Sequence, residues 1–272
     1  NDPITYDITT RLQIAHALTY GYSGELKDSY SELLRRGGLA MLLFTSPNGV
    51  APYGGRSSQF QFQEAIIAAL SELEANRYKK TNERLAGAFK RQAHLSTLSM
   101  RRWIMDMEPL RHIKNGFIPE AQHGIEGYGK YSVYALYCSS VLGLAALYAD
   151  DDIREYPSFS ETGGYMLEIF PAFHKVFATV QDAHIEIDTK ADLHYESTGL
   201  GRFHVRDVPE ELGLSMSFTA TPNYHMADSL KPYEGYAIGP AWKSDNTIYS
   251  LANLSDDLTH TITSTQVSPD TV

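Results

Sequence analysis

Apolar side chains return every three or four positions through the first two-thirds of the chain, the spacing of amphipathic helices. Leu12, Ala15, His16 and Leu18 give a helix over Thr9–Tyr20. Tyr30, Leu33, Leu34, Met41, Leu42 and Leu43 give a second over Ser29–Phe44. Phe60, Ala65, Ile66, Ala69, Leu70 and Leu73 predict a third over Gln59–Tyr78. Leu85, Phe89, Ala93, Leu98 and Trp103 predict a fourth over Thr81–Met107, with Thr81 or Asn82 as its cap. Further helices are expected over Ser132–Ala149 and Gly164–Val180. The connections are rich in glycine, as in Gly21-Tyr22-Ser23-Gly24, Ser46-Pro47-Asn48-Gly49 and Pro52-Tyr53-Gly54-Gly55.

From about residue 183 the period drops to two. His184-Ile185-Glu186-Ile187-Asp188 and Arg202-Phe203-His204-Val205-Arg206 alternate, as do Leu214–Thr221 and Thr259–Gln266. Such alternation between Gly, Pro, Asn and Asp marks β-hairpins. Helices first and strands second argue for an α+β chain in two parts, residues 1–182 helical and 183–272 an antiparallel sheet. Roughly six or seven helices fall short of the dozen or so in a closed ring of six hairpins, leaving an incomplete ring or a smaller bundle.

Composition narrows the function classes. A net charge of −10 argues against a broad nucleic-acid or anionic-membrane surface. No apolar run reaches the roughly 20 residues of a membrane helix. Eighteen tyrosines offer flat apolar faces with polar tips, which suit sugar rings. The single cysteine, Cys138, excludes an intramolecular disulfide framework and reads as a buried thiol. No signal peptide is visible, and the chain opens on Asn1 rather than Met, so a processed or truncated chain is expected.

Two stretches concentrate chemistry. The first is Ser46-Pro-Asn-Gly-Val-Ala-Pro-Tyr-Gly-Gly-Arg-Ser-Ser-Gln-Phe-Gln-Phe-Gln-Glu-Ala65, a polar loop running into a helix. Gly54 and Gly55 allow close backbone approach, and Ser57 and Ser58 are candidate caps. Arg56, with Gln59, Gln63 and Glu64 in the first helical turns, makes a credible seat for a sugar carboxylate beside Tyr53. The bland alternative is a structural loop in which Glu64 pairs with a lysine.

The second stretch is Glu120-Ala-Gln-His-Gly-Ile-Glu-Gly-Tyr-Gly-Lys-Tyr-Ser-Val-Tyr134. It offers His123, Glu126, Tyr128 and Tyr131 as proton carriers. Tyr131 and Tyr134 are expected to share a helix face. Its bland alternative is a loop with one capping histidine and aromatic packing.

Other single residues carry less. His94 reads as a core histidine, and His174 as another on a helix. His184, Glu186 and Asp188 share one strand face, as metal ligands or as a solvated surface. Asp150-Asp151-Asp152 reads as a helix end and a solvated turn rather than a calcium loop. No phosphate-binding loop, dinucleotide fingerprint, nucleophile elbow or zinc-protease motif is present, and neither a metal nor a cofactor is expected.

In order of parts, and in the style of Pro52-Tyr-Gly-Gly-Arg-Ser-Ser-Gln with Glu64 and His123-Gly-Ile-Glu-Gly-Tyr with Tyr131 and Tyr134, the chain resembles the helical-toroid carbohydrate-active enzymes. The nearest in flavour are the heparinase II/III-like and alginate-lyase-like polysaccharide lyases. Uronic-acid hydrolases such as the β-glucuronidases of glycoside hydrolase family 154 share the helical ring. The resemblance covers about residues 8–220 and implies an (α/α) helical-hairpin toroid followed by an antiparallel β-sandwich-like domain. It implies a secreted or periplasmic lyase acting by β-elimination on an acidic polysaccharide. His123 or Tyr128 would be the base and Tyr131 the acid, with Arg56 and Gln59 neutralising the carboxylate. A clear Asn-His pair, present in that group, is missing. A hydrolase using Glu64 and Glu126 about 5 to 9 Å apart, or a glycan-binding protein without turnover, are the alternatives.

Overall fold

The computed structural model describes residues 4–111, 113–127, 129, 133–227, 235, 237–254, 263 and 265. Helices come first: α1 (Ile4–Thr19), α2 (Lys27–Phe44), α3 (Phe62–Tyr78), α4 (Glu83–Ile104), α5 (Val133–Tyr148) and the single turn α6 (Phe159–Thr162). A four-stranded antiparallel sheet follows, in the order β1 (Tyr165–Ile169), β2 (Lys175–Val180), β3 (Ala183–Asp188), β4 (Gly199–Val205). A separate hairpin pairs β5 (Ala241–Ser244) with β6 (Thr247–Ser250).

The helix α3 is the centre of the helical layer. Its run Ala65-Ile-Ile-Ala-Ala-Leu70 is buried on every side, as expected of a helix apolar all round. It packs between α4, α5 and α1. Small alanines let the neighbours come close, and two acidic residues of α3 find cations: Glu72 pairs with Lys90 at 3.0 Å and Glu74 with Arg77 at 2.9 Å. The helix α4 starts on Asn82, whose side chain accepts the Leu85 amide at 3.1 Å. Such a cap stabilises a helix by roughly 1 kcal/mol. Phe177 of β2 meets Phe44 of α2 with ring centroids 6.0 Å apart, so sheet and helices share one apolar core.

The stretch Gly164–Val180, expected to be helical, is instead the β1–β2 hairpin. Gly163 and Gly164 take positive φ and end α6, and Pro171 sits in the turn. The central strand β2 is buried at five of its six positions, so it shows no period of two. The sheet therefore begins at Tyr165, and the expected boundary at residues 182 and 183 falls in the β2–β3 turn. Leu214–Thr221, expected as a strand, is irregular apart from a bridge at Phe218. Thr259–Gln266 lies almost wholly outside the described residues.

The alternation in β3 is real, but its sense is reversed. His184, Glu186 and Asp188 face the interior, while Ile185 and Ile187 are only half-buried. Strand register supplies the compensation. Lys175 stands opposite Asp188, and Arg202 opposite Glu186. Lys175 Nζ lies 2.6 Å from Asp188, 3.1 Å from Glu196 and 3.7 Å from Glu186, and Arg202 lies 3.1 Å from Glu186.

Candidate functional site

The two chemistry-bearing loops meet. Glu126 of the second accepts the backbone N–H of Ser57 in the first at 2.5 Å. Arg56 Nε lies 3.4 Å from the same carboxylate. The Lys114 amide donates to the carbonyl of Gln59 at 2.9 Å, and Gln61 donates from its side chain to the carbonyl of Arg111. Gly124 carries φ +85°, and a methyl there would lie 2.2 Å from Gln59 Oε1. The positive φ favours glycine here, and any side chain would also have to displace the Gln59 amide.

Each loop is fixed from beneath. Glu64, at the start of α3, accepts the Ala51 amide at 2.9 Å and pairs with Lys114 at 2.7 Å. Its side chain is fully buried. It ties the first loop and the Lys114 segment to α3 and has no contact with solvent, so the bland expectation of a lysine partner describes its surroundings. Gln63 is also buried, donating to Ser57 O at 2.9 Å and to Thr5 Oγ1. Ser57 and Ser58 do not cap a helix. Instead α3 begins at Phe62, and Ser57 takes φ +67° in the turn beneath Glu126.

Tyr53 is buried against the sheet, its ring 4.0 Å from Lys175 Nζ. Its amide donates to Glu186 at 3.3 Å, and Arg202 donates to Ala51 O at 2.7 Å. The charge cluster of the sheet thus holds the first loop. Gly54 passes so close that a methyl would sit 1.6 Å from Glu196 Oε2. Two cations face three carboxylates here, and burial raises the Glu196 carboxyl to about 8 against the pull of Lys175. Burial opposes the Lys175 charge, but Asp188 and Glu196 hold its pKa well above the usual range.

The surface above these supports is polar and aromatic. Arg56 is 40% exposed, so a ligand can reach its guanidinium. Burial works against the charge of Arg56, while Tyr6, Glu126 and Tyr195 lie near enough to favour it. Burial raises the pKa of Glu126, opposed by the Ser57 amide and by Arg56. Tyr134 Oη lies 3.5 Å from Ser57 Oγ, and burial raises its pKa too. Tyr195 carries a raised pKa from burial, with Glu126 and Arg56 among its neighbours.

His123 is buried and stands between the rings of Phe117 and Tyr224, 4.2 and 5.9 Å away. Its Nδ1 accepts the Ala227 amide at 3.3 Å. Burial, with His225 nearby, lowers its pKa to about 4. The ring is therefore neutral at pH 7, with its proton on Nε2. Tyr128 and Tyr131 lie outside the described residues.

Sequence reasoning brought Arg56, Gln59, His123 and Glu126 to one place, with Tyr134 beside them. It put Glu64, Gln63 and Tyr53 in the same group, where they lie beneath the surface. It missed Tyr6, Arg111, Lys114 and Tyr195. Arg111 and Lys114 flank His112-Ile113, a run with no motif, and only their charge amid apolar neighbours could have marked them. His94 is exposed and pairs with Glu155 at 3.0 Å rather than lying in the core, and His174 sits in the β1–β2 turn with φ +52°. No group of three His, Cys, Asp or Glu side chains converges to hold a metal among the described residues, and no helix among them is long and apolar enough to cross a membrane. Comparison with protein-family models, curated proteins and solved structures gives no match to this chain.

Proposed function

We propose that this chain is the uronide-binding part of a polysaccharide lyase working by β-elimination outside the cytoplasm. In this reading the helices belong to an (α/α) toroid and the strands to a β-sandwich-like domain. One observation carries it: the Arg56-Ser57 turn and the His123–Glu126 turn touch through Glu126, with Tyr134 Oη 3.5 Å from Ser57 Oγ. A sugar acid needs cations and N–H donors for its carboxylate, a base for its C5 proton and an acid for the leaving oxygen. Arg56 and the Nε2–H of His123 are suited to the first task. With Nδ1 taken by Ala227, His123 serves better as a donor than as the base, which leaves proton removal to Tyr128 and protonation to Tyr131.

A hydrolase built on Glu64 and Glu126 is the weaker alternative. Burial raises the Glu126 carboxyl, as suits a general acid, but Glu64 is sealed against Lys114. The test is a panel of uronic-acid polysaccharides, following ultraviolet absorbance and reducing ends together. A lyase yields an unsaturated, absorbing uronide that Tyr131→Phe abolishes while binding persists. Reducing ends without absorbance would select the hydrolase, and binding without either product a non-catalytic glycan-binding protein.

A further inference from the structure

The helix α5, Val133–Tyr148, carries no charged residue along its whole length. A helix without a polar face is normally buried, as α3 is. In α5 only Cys138, Val141 and Ala145 are buried, on the side that packs against α3. The opposite side is open to solvent: Leu136 is 73% exposed, Leu147 78% and Val133 47%. Ser140 and Gly143, between the two leucines, are exposed as well.

These exposed positions form one stripe. Val133, Leu136, Ser140, Gly143 and Leu147 alternate between steps of three and four residues, the spacing of a seam along which helices pack. Gly143 answers no need within the chain, since a methyl added there would meet nothing within 4 Å. Glycine inside a helix is destabilising relative to alanine. What it permits is close approach of another helix, because the distance between packed helices is set by the side chains at the contact. The seam also matches itself in reverse. Two copies laid antiparallel set Leu136 against the partner's Leu147, and Ser140 against the partner's Gly143.

We infer that this face of α5 pairs with α5 of a second copy of the chain, antiparallel, about a two-fold axis level with the midpoint between Ser140 and Gly143. A two-fold contact needs a surface complementary to itself. A face without charge meets that need: each copy carries −10 overall, yet no like charges oppose one another along α5. The helix ends add to this. Neither the first nor the last turn of α5 holds a charged side chain that would compensate the macrodipole. The antiparallel arrangement sets the positive end of each helix beside the negative end of the other. At about 1.5 Å per residue the helix is roughly 24 Å long, so the contact is small and its affinity is micromolar rather than nanomolar. The pairing is independent of the uronide reading above.

The experiment is sedimentation velocity of the whole chain from roughly 1 μM to roughly 1 mM. The wild-type chain should pass from monomer to dimer across this range, and a chain that stays monomeric throughout overturns the pairing. Leu136→Glu and Leu147→Lys should each weaken association at least about tenfold, because each buries a charge without a partner. Combining the two substitutions should recover the dimer, since the antiparallel register sets each new acid against a new base. Failure to recover overturns that register. Gly143→Leu separates assembly from folding. A better helix former, it should raise the Tm of the dilute monomer while weakening association at least about tenfold. Unchanged association in Gly143→Leu overturns the pairing. So does a monomer that cosediments with phosphatidylcholine vesicles, which would assign the face to lipid.

Discussion

Glu126 accepts the amide of Ser57 across 69 residues of chain. The Ser57 amide is aimed there because the residue sits at positive φ, a conformation an L-residue holds only when its surroundings compensate. The buried carboxylate is therefore both a support for the first loop and the partner of the more exposed Arg56. Removing it entirely should differ from neutralising it. Glu126→Ala leaves the Ser57 N–H buried and unanswered and should cost about 1–3 kcal/mol in urea unfolding. Glu126→Gln keeps an acceptor and should lose less than about 1 kcal/mol. Equal losses in the two variants would mean that the bond contributes nothing.

Gly124 should tolerate no side chain. Gly124→Ala combines positive φ with a 2.2 Å contact to Gln59, and should destabilise by about 1–3 kcal/mol while displacing His123. Gly116, with nothing within 4 Å of an added methyl, is the matched control, and Gly116→Ala should be near neutral. Thermal unfolding of the two variants side by side makes the comparison.

Stability should fall on both sides of a maximum near pH 6.5. Burial lowers the pKa of His123 to about 4 and of His184 to about 3, so each binds fewer protons folded than unfolded. Their contribution is present above the ordinary histidine pKa of about 6.5 and is lost as pH falls through the folded values. Glu196 is the opposite case. Its folded pKa is raised to about 8, so its contribution is full below the ordinary carboxyl value and is lost as pH rises through about 8. Glu196→Gln should flatten the alkaline limb of a plot of unfolding free energy against pH, and leave the acid limb. An unchanged alkaline limb would show that Glu196 ionises normally.

Arg56→Ala should act through Glu126. Without the guanidinium, only the Ser57 contacts still oppose burial, so the pKa of the Glu126 carboxyl should rise further, readable by carbon-detected NMR titration. Binding of an acidic glycan should weaken while that of a neutral sugar holds. Equal weakening of both would count against a charge role for Arg56.

Much of this was legible in the chain. The five long helices follow the apolar spacing to within a few residues at most ends, because each buries one face or, for α3, all of them. The nearness of the two loops rested only on their composition, yet Gly54 and Gly124 sit where neighbouring side chains press against the backbone. The hairpin at Tyr165–Val180 was hidden because β2, buried on both faces, does not alternate. The inward charges of β3 were hidden for another reason. Lys175 and Arg202 answer them from other strands, and no pattern within one strand records its partners.

The contact of Gly54 with the buried charges places a loop directly on a sheet, with no side chain as a spacer. The Tyr53 amide is bonded to Glu186 in a dry interior, so it should exchange with deuterated solvent at the pace of the strands rather than of a surface turn. A connection of this kind is a rigid shelf, and a sugar settling on it would meet a surface already shaped, with little ordering left to do.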